Sequence, residues 1–176
     1  MEHKILIACI GNIFLGDDAF GVEVARCLAG RTLSEGVRVV DFGIRSYDLA
    51  YALMDDWELI ILVDAVPRGG QPGTVYVIEP EMPARDASPE APALDAHTMN
   101  PVAALQMVTI LGGEVKRMII IGCEPSIADP EEAGMALSPP VLAAVDEAIR
   151  VIEQLIANFR PCRRPAQFIS KKGLYV

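Results

Sequence analysis

Unbroken apolar runs punctuate the chain. Ile5 to Ile10 and Leu59 to Val63 have the pattern of strands buried on both faces of a parallel sheet. Three further runs read as strands: Val37 to Phe42, Thr74 to Ile78 and Met118 to Gly122. Between them the period lengthens to that of a helix. Phe20, Val24, Cys27 and Leu28 share one face after the first strand, and Leu49, Leu53 and Met54 share another after the second. Val102, Leu105, Val108 and Leu111 form a third such face, stopped by Gly112-Gly113. Val141, Val145, Ile149, Ile152 and Ile156 form a fourth. Ser46 is the expected cap of the second helix, Thr98 or Asn100 of the third, and Ser138 of the fourth.

Strand, helix, strand, helix, strand is the rhythm of a doubly wound parallel sheet. One connection breaks it. Pro67 to Gly73, P-R-G-G-Q-P-G, is seven residues long, and a parallel crossover needs a dozen or more. The strand that follows must therefore run antiparallel to its neighbours. The expectation is a three-layer α/β/α fold with a mostly parallel, five-stranded twisted sheet and one antiparallel strand. Residues 1–159 form its single domain, and residues 160–176 a tail.

Composition narrows the choice of partners. Net charge is −9, which disfavours nucleic acid. It is also uneven: residues 160–176 hold five basic side chains and no acid, which leaves 10 basic against 24 acidic elsewhere. The plain reading of that segment is a poorly ordered basic tail. No apolar run approaches a membrane span, and M-E-H-K lacks a signal-peptide pattern. The four cysteines, Cys9, Cys27, Cys123 and Cys162, show no short paired spacing, so neither a zinc knuckle nor a disulfide scaffold is expected. These features point to a cytoplasmic protein.

The candidate chemistry lies at the carboxyl ends of the strands, where open α/β sheets place their ligands. Gly11 ends the first strand, and Gly16 releases the chain into Asp17 and Asp18 at the start of a helix. One acid there is well explained as a helix cap, the second less so. Gly11 and Gly16 have the spacing of a phosphate loop, but the two aspartates stand where its lysine and hydroxyl residue belong. A cation is the better guest. Asp64 ends the third strand, Cys123 and Glu124 end the last, and the non-periodic stretch Pro80 to Ala96 delivers His97 to the start of a helix. Two carboxylates and an imidazole can converge as a site for a divalent transition metal. The plain alternatives are a strand-end acid for Asp64 and a loop or capping role for His97. Cys9 or Cys123 with His97 is a further option, as a cysteine protease.

Four pieces taken in order carry a resemblance. G-N-I-F-L-G-D-D-x-x-G after the first strand, V-D-A at the end of the third, D-A-H in the long loop and L-S-P-P-V opening the last helix resemble the [NiFe]-hydrogenase maturation proteases, over about Ile5 to Phe159. The resemblance implies an endopeptidase that removes a C-terminal extension from a hydrogenase large-subunit precursor once nickel is in place. It implies that Asp18, Asp64 and His97 are both the metal ligands and the catalytic groups, with nickel brought by the substrate and used for recognition. Other divalent transition metals are then expected to occupy the same site. Some members of that family carry glutamate where this chain has Asp18. Asp17 is left as the helix cap. A non-enzymatic nickel-binding maturation chaperone would need the same three ligands.

Overall fold

The computed structural model describes residues 4–80, 101–126 and 134–159. The five strands are β1 (Ile5–Ile10), β2 (Val37–Gly43), β3 (Leu59–Ala65), β4 (Val75–Ile78) and β5 (Met118–Cys123). The four helices are α1 (Phe20–Ala29), α2 (Ser46–Leu53), α3 (Pro101–Ile110) and α4 (Pro139–Asn158), and a 3-10 turn, Gly16–Ala19, leads into α1.

The strands form one sheet in the order β2-β1-β3-β5-β4, with β4 alone antiparallel. This is the expected architecture. The seven-residue connection does turn the chain back on itself, and β4 pairs against β5 from Val75↔Cys123 to Ile78↔Ile120.

Alternation along β1 divides the core in two. Ile5, Ile7 and Cys9 pack against α1 and α4, while Leu6, Ala8 and Ile10 pack against α2 and α3. β3 repeats the pattern, with Leu59, Ile61 and Val63 on the first side and Ile60 and Leu62 on the second. Helices therefore cover both faces, which is why these strands read as continuous apolar runs. Most residues of the predicted helix faces are buried: Phe20, Val24 and Leu28 on α1, Leu49 and Leu53 on α2, Leu105 and Val108 on α3, and Val141, Val145, Ile149 and Ile152 on α4. Cys27 and Ile156 are only partly buried, and Met54 and Leu111, each just past the end of its helix, are exposed. Each fully buried side chain of this kind contributes about 1.5–3 kcal/mol by leaving water.

Two predicted caps differ from what the structure holds. Ser46 is the first residue of α2 rather than its cap, and Arg45 holds the cap position without a side-chain bond. Ser138 does occupy the N-cap of α4, in extended conformation, but its hydroxyl does not bond its own helix. The expected caps of α3, Thr98 and Asn100, lie outside the described residues, as do Pro80 to Ala96 in large part and the tail.

The direction of the chain reverses between β1 and β3. β1 continues to β2 on one side, and β2 returns past it to β3 on the other. The crevice at a reversal of this kind, outside the carboxyl ends of the two strands, is where doubly wound sheets bind. Asp18 follows β1 and Asp64 lies near the end of β3. α3 descends toward the opposite edge, where Gly113 meets Met54 at the end of α2 and Ile60 bonds Arg117. Its first residue, Pro101, is thus at the carboxyl edge, on the face of the sheet that Asp64 shares.

Candidate active site

Three glycines bring the first loop against the strand ends. Gly11 has φ +148, and a Cβ there would stand 2.0 Å from the carbonyl oxygen of Asp18. A Cβ on Gly21, in the first turn of α1, would stand 2.2 Å from the Ile10 carbonyl and 2.5 Å from that of Val63. Only hydrogen fits at either place, so the start of α1 sits directly on the ends of β1 and β3. Gly16, with φ +53, provides the left-handed turn between them.

The loop is held by its own backbone. The N–H of Gly11 donates to Gly43, that of Leu15 to Asn12 and that of Asp18 to Leu15. The N–H of Phe14 donates to the Asn12 side chain at 3.0 Å, and that of Asn12 to Asp18 Oδ2 at 2.9 Å. With these five donors committed inward, the loop does not offer the row of free N–H groups that cradles a phosphate. Asn12 was not singled out in the sequence. Its signal is the ability of asparagine to bond a backbone N–H two residues on.

Asp18 is half-buried, and burial raises its carboxyl above the ordinary range, against the lowering pull of the Asn12 N–H. Asp64 is 8% exposed. Burial first, and then the negative charge of Asp18, push its carboxyl up to about 7, against the lowering effect of the Ala65 N–H. The two predicted carboxylates are thus brought within electrostatic reach of each other. Like charges held together at a partly dry crevice favour a proton or a cation. Among the described residues no group of three or more His, Cys, Asp or Glu side chains is placed to hold a metal ion. The third predicted ligand, His97, lies outside the described residues.

Asp17 corrects the expectation of a simple helix cap. No side chain caps the 3-10 turn or α1. The Asp17 carboxylate instead accepts the Ser126 N–H at 2.8 Å, the Ser138 N–H at 2.6 Å and the Ser138 hydroxyl at 2.8 Å. It ties the first loop to the end of β5 and to the start of α4. These partners are more than a hundred residues away in the chain, which local sequence signals cannot reveal.

Glu124 is also spent on structure. It is 1% exposed, and its carboxylate accepts the N–H groups of Arg68 at 2.9 Å and Gly69 at 3.0 Å and the Tyr76 hydroxyl at 2.8 Å. Burial raises its pKa, but the Tyr76 hydroxyl and the N–H groups of Arg68, Gly70 and Gly69 together hold it below the ordinary range. The side chain organises the β3–β4 turn. Cys9 and Cys123 are fully buried. Burial, then Asp41, pushes the Cys9 thiol up, while burial, then Asp17 and Glu124, pushes the Cys123 thiol up to about 12. A nucleophilic cysteine needs the opposite shift. Both thiols are also closed off from solvent, which speaks against the cysteine-protease option.

A doubly wound sheet with two acidic side chains, rather than a phosphate-binding loop, at its reversal point sets the chain apart from nucleotide-binding folds, and comparison with known proteins supplies its family. The family model described as hydrogenase maturation protease matches residues 22–155. A Methanocaldococcus jannaschii protein provisionally named as a hydrogenase maturation protease is 34% identical, the match covering 86% of this chain and 95% of the relative. The hydrogenase 2 maturation protease of Escherichia coli is 28% identical, over 89% of this chain and 91% of its own. The solved structure of the Escherichia coli hydrogenase maturating endopeptidase HybD superposes with a TM-score of 0.68 at 25% identity, covering 88% of this chain and 92% of that one. The HybD protease of Thermococcus kodakarensis gives 0.64 at 27% identity, covering 87% and 99%. The chain belongs to the hydrogenase maturation protease family and is an endopeptidase.

Proposed function

We propose that the protein removes a C-terminal extension from a [NiFe]-hydrogenase large-subunit precursor after nickel insertion, with Asp18, Asp64 and His97 meeting the nickel that the precursor carries. The observation that carries this reading is the pairing of Asp18 with Asp64, whose carboxyl stands near 7 because burial and a neighbouring carboxylate both oppose its charge. A divalent cation relieves both costs at once. Carboxylate oxygens with an imidazole suit nickel and other transition metals of its row.

The placement of α3 supports the third ligand. Pro101 begins that helix at the carboxyl edge, and His97 stands four residues ahead of it in sequence. Four residues reach at most about 14 Å.

A metal bound by these groups would supply a Lewis acid that polarises the scissile carbonyl. The chain's own residues supply orientation. Asn12 fixes one oxygen of Asp18, leaving the other for the guest. Asp64 is fixed by strand pairing, opposite Gly122. Water adds to the scissile carbonyl carbon and the C–N bond breaks, leaving a new carboxylate on the subunit and a free amine on the released peptide.

The test is incubation of the precursor with the wild-type protein and with Asp64→Asn, reading the mass of the C-terminal fragment. Release by the wild type and none by the variant is the expected result. Equal release by both removes Asp64 from the reaction.

A further inference from the structure

A cleft of about 330 Å³ opens on the far side of the first loop from Asp64, between that loop and the β2–α2 connection. Its floor and walls include Gly11, Val22, Phe42 and Gly43, and its rims are Ile13 and Phe14 on one side and Ile44 on the other. We propose that this cleft receives a large aliphatic or aromatic side chain of the polypeptide substrate, close to the bond that is cut. The proposal rests on the protease reading and deepens it.

The rims are the first argument. Phe14 is 66% exposed, and Ile13, Leu15 and Ile44 are each about half exposed. Three consecutive large apolar residues on an exposed loop are unfavourable in water unless something covers them. The loop that holds them is stiff, because the N–H groups of Gly11, Asn12, Phe14 and Leu15 are all bonded inside it or to β2. A bulge strengthens the opposite wall: Cys9 pairs with Asp41 and Ile10 with Gly43, so Phe42 is left over in β2. A rigid apolar rim binds with little ordering cost.

Polar groups of the cleft are in part spent on its own backbone. Asp41 Oδ1 accepts the Gly43 N–H at 2.8 Å, and the Arg45 side chain donates to the carbonyl oxygens of Phe42 and Asp41. The two charged side chains there, Asp41 and Arg45, are opposite in sign and both bond backbone, while the exposed rim is apolar. The volume lies near the lower end of the range of about 300–1,000 Å³ typical of ligand pockets, which suits one or two side chains rather than a domain.

Continuity with the catalytic groups decides the occupant. Asn12 lines the cleft, and its N–H is the group that fixes Asp18. An endopeptidase must lay its substrate against the reacting carboxylates, and one residue here separates those carboxylates from the apolar seat. The substrate chain on either side of the scissile bond is therefore the partner that this surface meets.

The test compares wild type, Phe14→Ser, Ile44→Ser, Phe14→Leu and, as a control on equally exposed α2, Tyr51→Ser. Cleavage of the large-subunit precursor gives kcat and KM, and binding of the same precursor carrying a fluorescent label gives Kd without any need for cleavage. Phe14→Ser and Ile44→Ser are expected to raise KM and Kd at least tenfold, with kcat within twofold and melting temperature unchanged. Phe14→Leu recovers most of the loss, and Tyr51→Ser causes none. Unchanged KM and Kd in both serine variants overturn the proposal, as does an equal loss in Tyr51→Ser. Self-association of the wild type that Phe14→Ser abolishes overturns it in favour of a second copy as the occupant. If the wild type binds the precursor without cutting it, the protease reading fails separately, while the dependence of Kd on Phe14 still decides the cleft.

Discussion

Asp17 and Ser138 are joined by two hydrogen bonds across 121 residues of sequence: the carboxylate takes both the N–H and the hydroxyl of the serine. With the Ser126 N–H as a third donor, this carboxylate fixes the loop that carries Asp18 to the other end of the fold. A serine that would otherwise cap α4 is turned to hold an acid from α1's approach. Both helix starts are ordered by one side chain.

Substituting Asp17 therefore costs stability. Asparagine is as good a helix cap as aspartate, but here it has a single acceptor oxygen and turns an amide toward N–H donors. Asp17→Asn is expected to lose about 1–3 kcal/mol, the cost of leaving partly buried donors unmet, measured as a shift in urea midpoint. A loss within about 0.5 kcal/mol of zero would mean that the clamp is an ordinary surface contact.

Asp18→Asn should behave in the opposite way. The Asn12 N–H can still meet the amide oxygen, and the charge that opposes Asp64 is gone. Stability stays within about 1 kcal/mol of wild type while precursor cleavage is abolished. Mass spectrometry and thermal melting on the same sample check both halves. An active, stable Asp18→Asn enzyme contradicts the site.

Asp64 gives a prediction in pH. Its carboxyl rises from 3.8 to about 7 on folding, so the folded state holds its proton more tightly than the unfolded chain. The contribution to stability is full below about pH 4, is lost as pH rises toward 7, and changes no further above that. Asparagine does not titrate. The stability of Asp64→Asn relative to wild type should therefore grow between pH 5 and pH 8 by on the order of 2 kcal/mol, at 1.36 kcal/mol per unit. Denaturant curves in the presence of a chelator measure it, and a gap that stays constant contradicts the burial of that charge.

The same proton competes with metal. Between pH 7.5 and 5.5 Asp64 gains its proton, and an imidazole of ordinary pKa, about 6.5, gains one too. Nickel or cadmium affinity is expected to fall at least tenfold over that range by titration calorimetry. Equal affinity at both values removes Asp64 and His97 from the ligand set.

Much of this was legible in the chain because the signals are local. The continuous apolar run of β1 follows from burial on two faces, and the antiparallel β4 from the seven residues of Pro67 to Gly73, too short to cross over. Asp18 and Asp64 were legible as strand-end acids, and the order of the sheet explains why they meet. What escaped was long-range. The partners of Asp17 lie near the other end of the chain, and nothing around Glu124 announces that Arg68, Gly69 and Tyr76 will surround its carboxylate. The Ser46 cap failed because Arg45, bonded back to β2, already fills the position before α2.

The central claim is that the nickel within the precursor completes the site of Asp18, Asp64 and His97 and so licenses cleavage. It is tested most directly by incubating the wild-type protein with nickel-loaded and nickel-free precursor at pH 7.5 and following the mass of the large subunit. Loss of the C-terminal peptide from the loaded precursor alone is the predicted result. Equal processing of the nickel-free precursor would contradict it.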